Sequence, residues 1–340
     1  MSGRSEPGYV LAVAGATGAV GSVLLSILEE RGFPVSELRP LASERSAGRT
    51  IRFRGEDLRI AVAEPDAFDD VDFAFFAATG SLSKTLAPEV VKRGGVVIDK
   101  SSTWRLDETV PLVVPEINPE ALDNHQGIVS CPNCTTIGFV MALEPLRRVA
   151  GLKRVVVTTL QAVSGAGLPG LEELYSQQAA LQAGAPPPAP KTFVAPIAEN
   201  VVPLCDDLAD DGYTGEEVKL LLETRKILGL PELPVAVTCV RVPVPTGHSA
   251  SILVHTESPL SPAAAVEALA DFPGVEVVAA NGRAPTPADV AGRDEVLVGR
   301  VRSDPHSDGI WLWEVSDNLR KGAATNAVQI AEKMIARDLV

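Results

Sequence analysis

The strongest constraint on this chain is a short apolar run, Tyr9–Ala14, that stops at Gly15-Ala-Thr-Gly-Ala-Val-Gly21 and is followed by the helical pattern Val23–Glu30. Buried strand, glycine turn and helix, in that order, open a parallel βαβ unit. The pattern continues with a strand at Leu38–Ala42, a hairpin over Thr50–Val62, a buried strand at Phe73–Ala78, a helix over Ser83–Arg93 and a strand at Val96–Ile98. Strands and helices that alternate in this way predict an α/β fold with a doubly wound, Rossmann-like sheet. Glycines spaced G-x-x-G-x-x-G let backbone approach a pyrophosphate, and the helix N-terminus offers it N–H donors. Gly15, Thr17, Gly18, Ala19 and Val20 are the expected contacts; the bland alternative is a tight turn. Cofactor type is read after the second strand, in Ser43-Glu-Arg-Ser46. Glu44 would suit the ribose hydroxyl of NAD. Arg45 between Ser43 and Ser46 better suits a 2′-phosphate, so the expected cofactor is NADP.

Beyond the helical pattern Thr135–Leu146 the texture changes. Val155–Ala162 alternates and is β-branched, Glu216–Leu228 reads as a helix, and strands are predicted at Val235–Val242, Ala250–Thr256, Val296–Arg302 and Ile310–Val315. A last helix is predicted from Lys321 to Ala336. The expectation is an α+β second domain, with boundaries at 1–133 (dinucleotide binding), 134–320 (the α+β domain) and 321–340 (a C-terminal helix packing on the dinucleotide-binding domain). Ala183–Pro190 is too rich in proline for helix or ladder and reads as a surface loop or arm without an assigned role. A net charge of −14 argues against general nucleic-acid binding, which needs a basic face. Four cysteines make no secreted disulfide framework. Met1–Gly8 carries no signal-peptide run, and no stretch approaches a membrane helix, so a soluble cytoplasmic protein without a membrane partner is expected.

Cys134 lies in Ser-Cys-Pro-Asn-Cys-Thr-Thr-Ile (Ser130 to Ile137), at the start of a predicted helix, where N–H groups and the helix dipole favour a thiolate. Cys131 and Cys134 form a C-x-x-C, yet no second pair of ligands completes a zinc site, and no metal is expected. A redox pair and an inert buried thiol are the other readings. His248 closes Arg241-Val-Pro-Val-Pro-Thr-Gly-His248, a loop between two predicted strands. A neutral imidazole beside a thiol can take its proton and later activate water or phosphate. Glu216 and Lys219 share a helix face, and on their spacing alone a solvated ion pair is the simpler reading.

Taken in order, Gly15–Gly21, Ser43–Ser46, Ser101-Ser-Thr-Trp-Arg105, Val114-Pro-Glu-Ile-Asn118, Pro132-Asn-Cys-Thr-Thr136, Gln161-Ala-Val-Ser-Gly165, Gly215-Glu-Glu-Val-Lys219, Arg241–His248 and Asp317-Asn-Leu-Arg-Lys-Gly322 resemble the aspartate-β-semialdehyde dehydrogenase family over nearly the whole chain. The resemblance implies that Cys134 forms an acyl-thioester and His248 is the acid/base. Gln161 would orient the substrate, Arg241 clamp its α-carboxylate and Glu216 face its α-ammonium. Arg105, Asn133 and Lys219 would bind phosphate, and Ser164, Gly165 and Asn318 would lie near the nicotinamide. The implied reaction is the NADPH-dependent conversion of aspartyl phosphate to aspartate semialdehyde, in lysine, threonine, methionine and isoleucine biosynthesis. The resemblance makes 134–320 the catalytic and dimerisation domain, and the implied assembly is a homodimer, with a homotetramer as the alternative. An N-acetyl-glutamyl-phosphate reductase would place its nucleophile in Gly-Cys-Tyr-Pro, which Asn133-Cys134-Thr135-Thr136 contradicts. A malonyl-CoA reductase built on the same scaffold stays open as an alternative, although its substrate lacks the ammonium group that Glu216 would face. A non-catalytic paralogue should lack Cys134 or His248.

Overall fold

The opening apolar run forms β1 (Tyr9–Ala14), followed by α1 (Ala19–Glu30). This computed structural model describes residues 8–279 and 283–340; Met1–Pro7, most of the stretch read above as free of a signal peptide, and residues 280–282 lie outside them. The chain continues through β2 (Val35–Ala42), β3 (Thr50–Phe53), β4 (Glu56–Arg59), β5 (Ala61–Val62), β6 (Phe73–Phe76), α2 (Gly80–Lys92), β7 (Val96–Asp99) and β8 (Ile128–Ser130). A parallel sheet of order β5-β2-β1-β6-β7-β8 results. Parallel strands covered on both faces read as unbroken apolar runs, which is why every residue of β6, Phe-Ala-Phe-Phe, is buried.

Several boundaries differ from expectation: α1 begins at Ala19 and β2 at Val35, earlier than predicted, and two further differences have a visible cause. The hairpin ends at Arg59, and Ala61–Val62 leaves it to pair in parallel with Leu41 and Ala42 of β2. Helix α2 starts at Gly80 rather than Ser83, because Thr79 is its N-cap and accepts from the Leu82 N–H at 3.4 Å.

Residues up to Pro132 together with Ala323–Val340 make one compact unit, and Asn133–Gly322 make the second. The second unit runs α3 (Cys134–Ala150), β9 (Arg154–Gln161), α4 (Gly167–Gln182), α5 (Gly215–Leu228), β10 (Val235–Arg241), β11 (His248–His255), α6 (Pro262–Ala270), β12 (Val275–Val277), α7 (Pro287–Val290), β13 (Val296–Ser303) and β14 (Ile310–Ser316). Its mixed sheet has the order β10-β9-β11-β14-β13-β12. Helix α3 contacts β13, β14, α5 and α6. It is buried without a break from Thr135 to Leu146, as a helix apolar on every side must be. Helices α4, α6 and α7 and strand β12 were not anticipated. The opening Gly-Leu-Pro-Gly of α4 looks like a turn, whereas α6 carries a legible start signal, the Ser261 N-cap followed by Pro262.

The chain then returns to the first unit. A π-helical turn at Arg320–Ala324 precedes α8 (Thr325–Ala336), so the regular helix begins later than Lys321. Helix α8 contacts α1 and β7, burying Val328, Ile330 and Met334, and Glu332 is gripped by both Nε and Nη2 of Arg31 at 2.7 and 2.6 Å. No helix among the described residues is long and apolar enough to cross a membrane.

Candidate active site

Asn133 caps α3, its Oδ1 accepting from the N–H groups of Thr135 (2.8 Å) and Thr136 (3.4 Å). That cap makes Cys134 the first helical residue and sets its sulfur at the positive end of a long helix. Gly322 keeps room for it, since a Cβ there would stand 3.2 Å from Cys134 Cβ. Cys134 Sγ lies 3.3 Å from His248 Nε2. The other ring nitrogen, Nδ1, accepts from the Ala162 N–H at 3.0 Å. A nitrogen that accepts bears no proton, so the neutral ring carries its proton on Nε2, facing sulfur. Complete burial, and then the positive charge of Arg241, hold the His248 pKa well below its usual value and keep the ring neutral at pH 7. The ring is therefore a hydrogen-bond donor to Cys134, whereas the sequence suggested an acceptor of the thiol proton.

Arg241 ends β10 beside Gln161, which ends β9, the two being partners in the parallel ladder. Arg241 is 8% exposed, donates from Nη1 to the Ala162 carbonyl (2.7 Å), and has no carboxylate in ion-pair reach among the described residues. A buried guanidinium in that state calls for an anion. Gly165 leaves the space above it open: a Cβ there would stand 2.7 Å from Arg241 Nη1 and 3.2 Å from His248 Cε1. Gln161 is fully buried; its Nε2 donates to Thr135 Oγ1 (2.8 Å) and Glu216 Oε1 (3.3 Å), while its Oε1 has no hydrogen-bond partner among the described residues.

Glu216 Oε1 also accepts from Asn133 Nδ2 at 2.9 Å, and its Oε2 lies 3.6 Å from Lys219 Nζ. The simple ion pair foreseen for Glu216 and Lys219 is thus present, although Glu216 is buried and belongs to the Asn133–Gln161 network. Lys219 pairs as well with Asp206. Asn318 Nδ2 donates to Ser164 Oγ (2.9 Å) and its Oδ1 accepts from the Gly247 N–H (2.9 Å), tying the Ser164 turn to the His248 loop. Sequence reasoning missed Thr135, Glu223 (which accepts from the Asn133 N–H at 2.7 Å) and Asp206. Thr135 lies inside the cysteine motif and could have been found; Asp206 and Glu223 meet their partners only through folding.

The glycine loop belongs to the first unit. Gly15 has φ +87, and a Cβ there would come within 2.3 Å of the Ala77 carbonyl, so only glycine fits. Gly18 is the N-cap of α1 and offers no side-chain cap, which leaves the first-turn N–H groups of α1 to an external anion. Thr17, Ala19 and Val20 line that turn. At the end of β2 a turn closes from the Ser46 N–H to the Ser43 carbonyl (2.9 Å), with Ser46 buried and Glu44 and Arg45 exposed. Arg45 forms no ion pair with a described residue. An uncapped helix start and an exposed guanidinium at the strand end fit the pyrophosphate and the 2′-phosphate of NADP, respectively. Arg105, also in the first unit, is buried and donates to the carbonyls of Cys131 (3.1 Å) and Lys100 (2.7 Å). Cys131 is buried and contacts Asn326 Nδ2 at 3.2 Å, and no group of potential metal ligands forms among the described residues.

Residues 10–125 match the NAD binding domain of semialdehyde dehydrogenases, and residues 143–321 match the dimerisation domain of the same enzymes. The aspartate-semialdehyde dehydrogenase of Aquifex aeolicus is 49% identical over 98% of this chain and 100% of its own length. That of Bacillus subtilis is 46% identical over 98% of this chain and 99% of its own length. The crystal structure of aspartate semialdehyde dehydrogenase II from Vibrio cholerae, complexed with ASA, superimposes with a TM-score of 0.95 at 46% identity, covering 98% of this chain and 99% of that one. The aspartate semialdehyde dehydrogenase of Candida albicans with NADP gives 0.77 at 25% identity, over 98% of this chain and 100% of that one. With both domain matches, and with full-length relatives sharing almost half its residues, this chain belongs to the semialdehyde dehydrogenase family.

Proposed function

We propose that this chain reduces L-4-aspartyl phosphate to L-aspartate-4-semialdehyde and phosphate with NADPH, through a thioester on Cys134. The observation that carries this reading is a buried Arg241 without a carboxylate partner among the described residues, set in the same network as the Cys134–His248 pair. It suits a substrate that brings its own carboxylate.

Proton positions define what each residue does. Cys134, as thiolate at the start of α3, attacks the acyl carbon, and the C–O bond to phosphate breaks. Asn133 and Lys219 are assigned to the departing phosphate, and family resemblance assigns Arg105 to it as well. The chemistry that NADPH would supply when bound is a hydride to the thioester carbon. The Nε2–H of His248 donates to sulfur in the resting state and to the carbonyl oxygen as it gains negative charge. The resulting oxyanion re-forms the carbonyl and expels the Cys134 thiolate, so His248 need never lose its proton. The one proton the net reaction consumes ends on the released phosphate. Arg241 holds the α-carboxylate, while Glu216 and the unpaired Gln161 Oε1 accept from the α-ammonium. Gly15, Thr17, Gly18, Ala19 and Val20 would cradle the pyrophosphate of NADPH, Ser43, Arg45 and Ser46 would take its 2′-phosphate, and Ser164, Gly165 and Asn318 would shape the nicotinamide side.

The product enters lysine, threonine, methionine and isoleucine biosynthesis, and we assign the enzyme to the cytoplasm as a homodimer. Cys134→Ser tests the reading: phosphate-dependent NADP reduction with aspartate semialdehyde should fall by at least about a thousandfold, with NADPH binding retained. Wild-type protein inactive on aspartate semialdehyde, or a fully active Cys134→Ser, overturns it.

A further inference from the structure

Arg241 is held from two sides, and the second is supplied by a stretch of chain that the reaction does not otherwise use. One side is the hydrogen bond from Nη1 to Ala162. On the other, the guanidinium carbon lies over the ring of Phe193, 6.0 Å from its centroid. Phe193 follows the Ala/Pro-rich arm Ala183–Pro190 and has no regular secondary structure around it. What fixes it is a pair of buried side chains on α4. Glu173 Oε2 accepts from the backbone N–H groups of Lys191 (2.8 Å) and Thr192 (2.6 Å). Gln177 Oε1 accepts from those of Ile197 (2.8 Å) and Ala198 (3.1 Å), and its Nε2 reaches Glu173 Oε1 at 3.3 Å. Phe193 thus sits between two clamped pairs of N–H groups. Its ring also rests on α4 at Gly170, where a Cβ would come within 3.2 Å of the ring Cζ. A few residues later Val202 exchanges both backbone hydrogen bonds with Arg241 itself, at 2.9 and 2.8 Å.

An arginine that must grip an incoming carboxylate poses a particular problem. Its charge needs compensation while the site is empty, yet a resident Asp or Glu would occupy the donors the substrate requires. An aromatic face attracts the cation through its π electrons and leaves the N–H edge free. It also limits rotation of a side chain that otherwise loses considerable rotamer freedom on binding. We propose that Phe193, fixed in place by Glu173, is a positioning residue for Arg241, holding the guanidinium plane so that its donor edge meets the substrate α-carboxylate. The proposal rests on the assignment of Arg241 to that carboxylate, and it gives the proline-rich arm a role in delivering Phe193 to β10.

Steady-state kinetics with aspartate semialdehyde, phosphate and NADP test it. Phe193→Leu, which keeps an apolar side chain of similar bulk, should raise KM for aspartate semialdehyde about three- to tenfold. In the same variant kcat, and KM for phosphate and NADP, should stay within about twofold, since the aromatic face acts only on the guanidinium. Phe193→Trp should restore the wild-type KM, which a purely structural role would not predict. Glu173→Gln, which leaves α4 its shape, should move KM for aspartate semialdehyde in the same direction by less, and carries the test if Phe193→Leu does not fold. An unchanged KM in these variants, or equal changes in every kinetic constant, overturns the proposal. Arg241→Lys separates the two levels. If it too leaves KM unchanged, the carboxylate assignment fails; if it raises KM and Phe193→Leu does not, the positioning role alone falls.

Discussion

Arg241, Gln161 and His248 are all placed by one short stretch of backbone. The carbonyl of Ala162 accepts from Arg241, and its N–H donates to His248. The residue letters made the three side chains legible because each stands in a recognisable motif. The direction of the His248 ring was not legible, since it is set by a main-chain atom that no letter encodes. The same limit applies to the charge balance around Arg241. Sequence gives an arginine at the end of a predicted strand, and only the fold shows it to be buried without a carboxylate partner among the described residues. Replacement by lysine would keep the charge and lose the two-pronged geometry. Arg241→Lys should lower kcat/KM for aspartate semialdehyde by about ten- to a hundredfold, the loss of a charge-assisted hydrogen bond of about 1.5–3 kcal/mol. Initial-rate measurements check this, and the loss should fall mainly on KM.

At the scale of elements, α3 and the sheet beneath it hold two buried titratable groups of opposite tendency. Glu314 of β14 faces α3, where Gly138 admits it: a Cβ on Gly138 would stand 2.3 Å from Glu314 Oε1 and 2.4 Å from Ser316 Oγ. Burial pushes the Glu314 carboxyl up to about 8. The unfolded chain therefore loses this proton from about pH 4.5 upward while the folded chain keeps it, so stability falls as pH rises through that window and levels off near pH 8. His248 works the other way. Its folded pKa is depressed, so stability falls as pH drops below about 6.5, where the unfolded chain binds a proton the fold refuses. Glu314→Gln should remove the first slope. Urea unfolding at a series of pH values should show the variant more stable than wild type by a few kcal/mol at pH 8, with the difference vanishing toward pH 5. None of this was legible beforehand, because Glu314 is one acidic letter in Ile-Trp-Leu-Trp-Glu-Val-Ser and alternation alone does not say which face is dry. The buried strands of the first sheet were legible, their apolar runs being unbroken; α4, opening on glycines and a proline, was not.

For the whole molecule, the second sheet has one face covered and one partly open. Val156, Leu253 and Trp311 are cross-strand neighbours in adjacent strands, and Trp313 lies nearby on the same open face, all only half-buried. Contiguous apolar surface of this kind marks an interface, and it lies within the residues that match a dimerisation domain. Sedimentation should give the mass of two chains, and Leu253→Asp, which places a charge between Val156 and Trp311, should give the mass of one. A wild-type monomer would remove the dimer assignment, and a mass of four chains would extend it.

The chain leaves its first unit after Pro132 and re-enters it at Ala323. A ribosome makes a polypeptide in one direction, and domains fold as units when their residues have emerged. The second unit is complete while its neighbour still lacks α8, whose apolar face closes over α1 and β7. The nucleotide-binding half is thus the first begun and the last finished, and a prematurely terminated chain would carry every residue of the cysteine–histidine unit but an unfinished nucleotide-binding one.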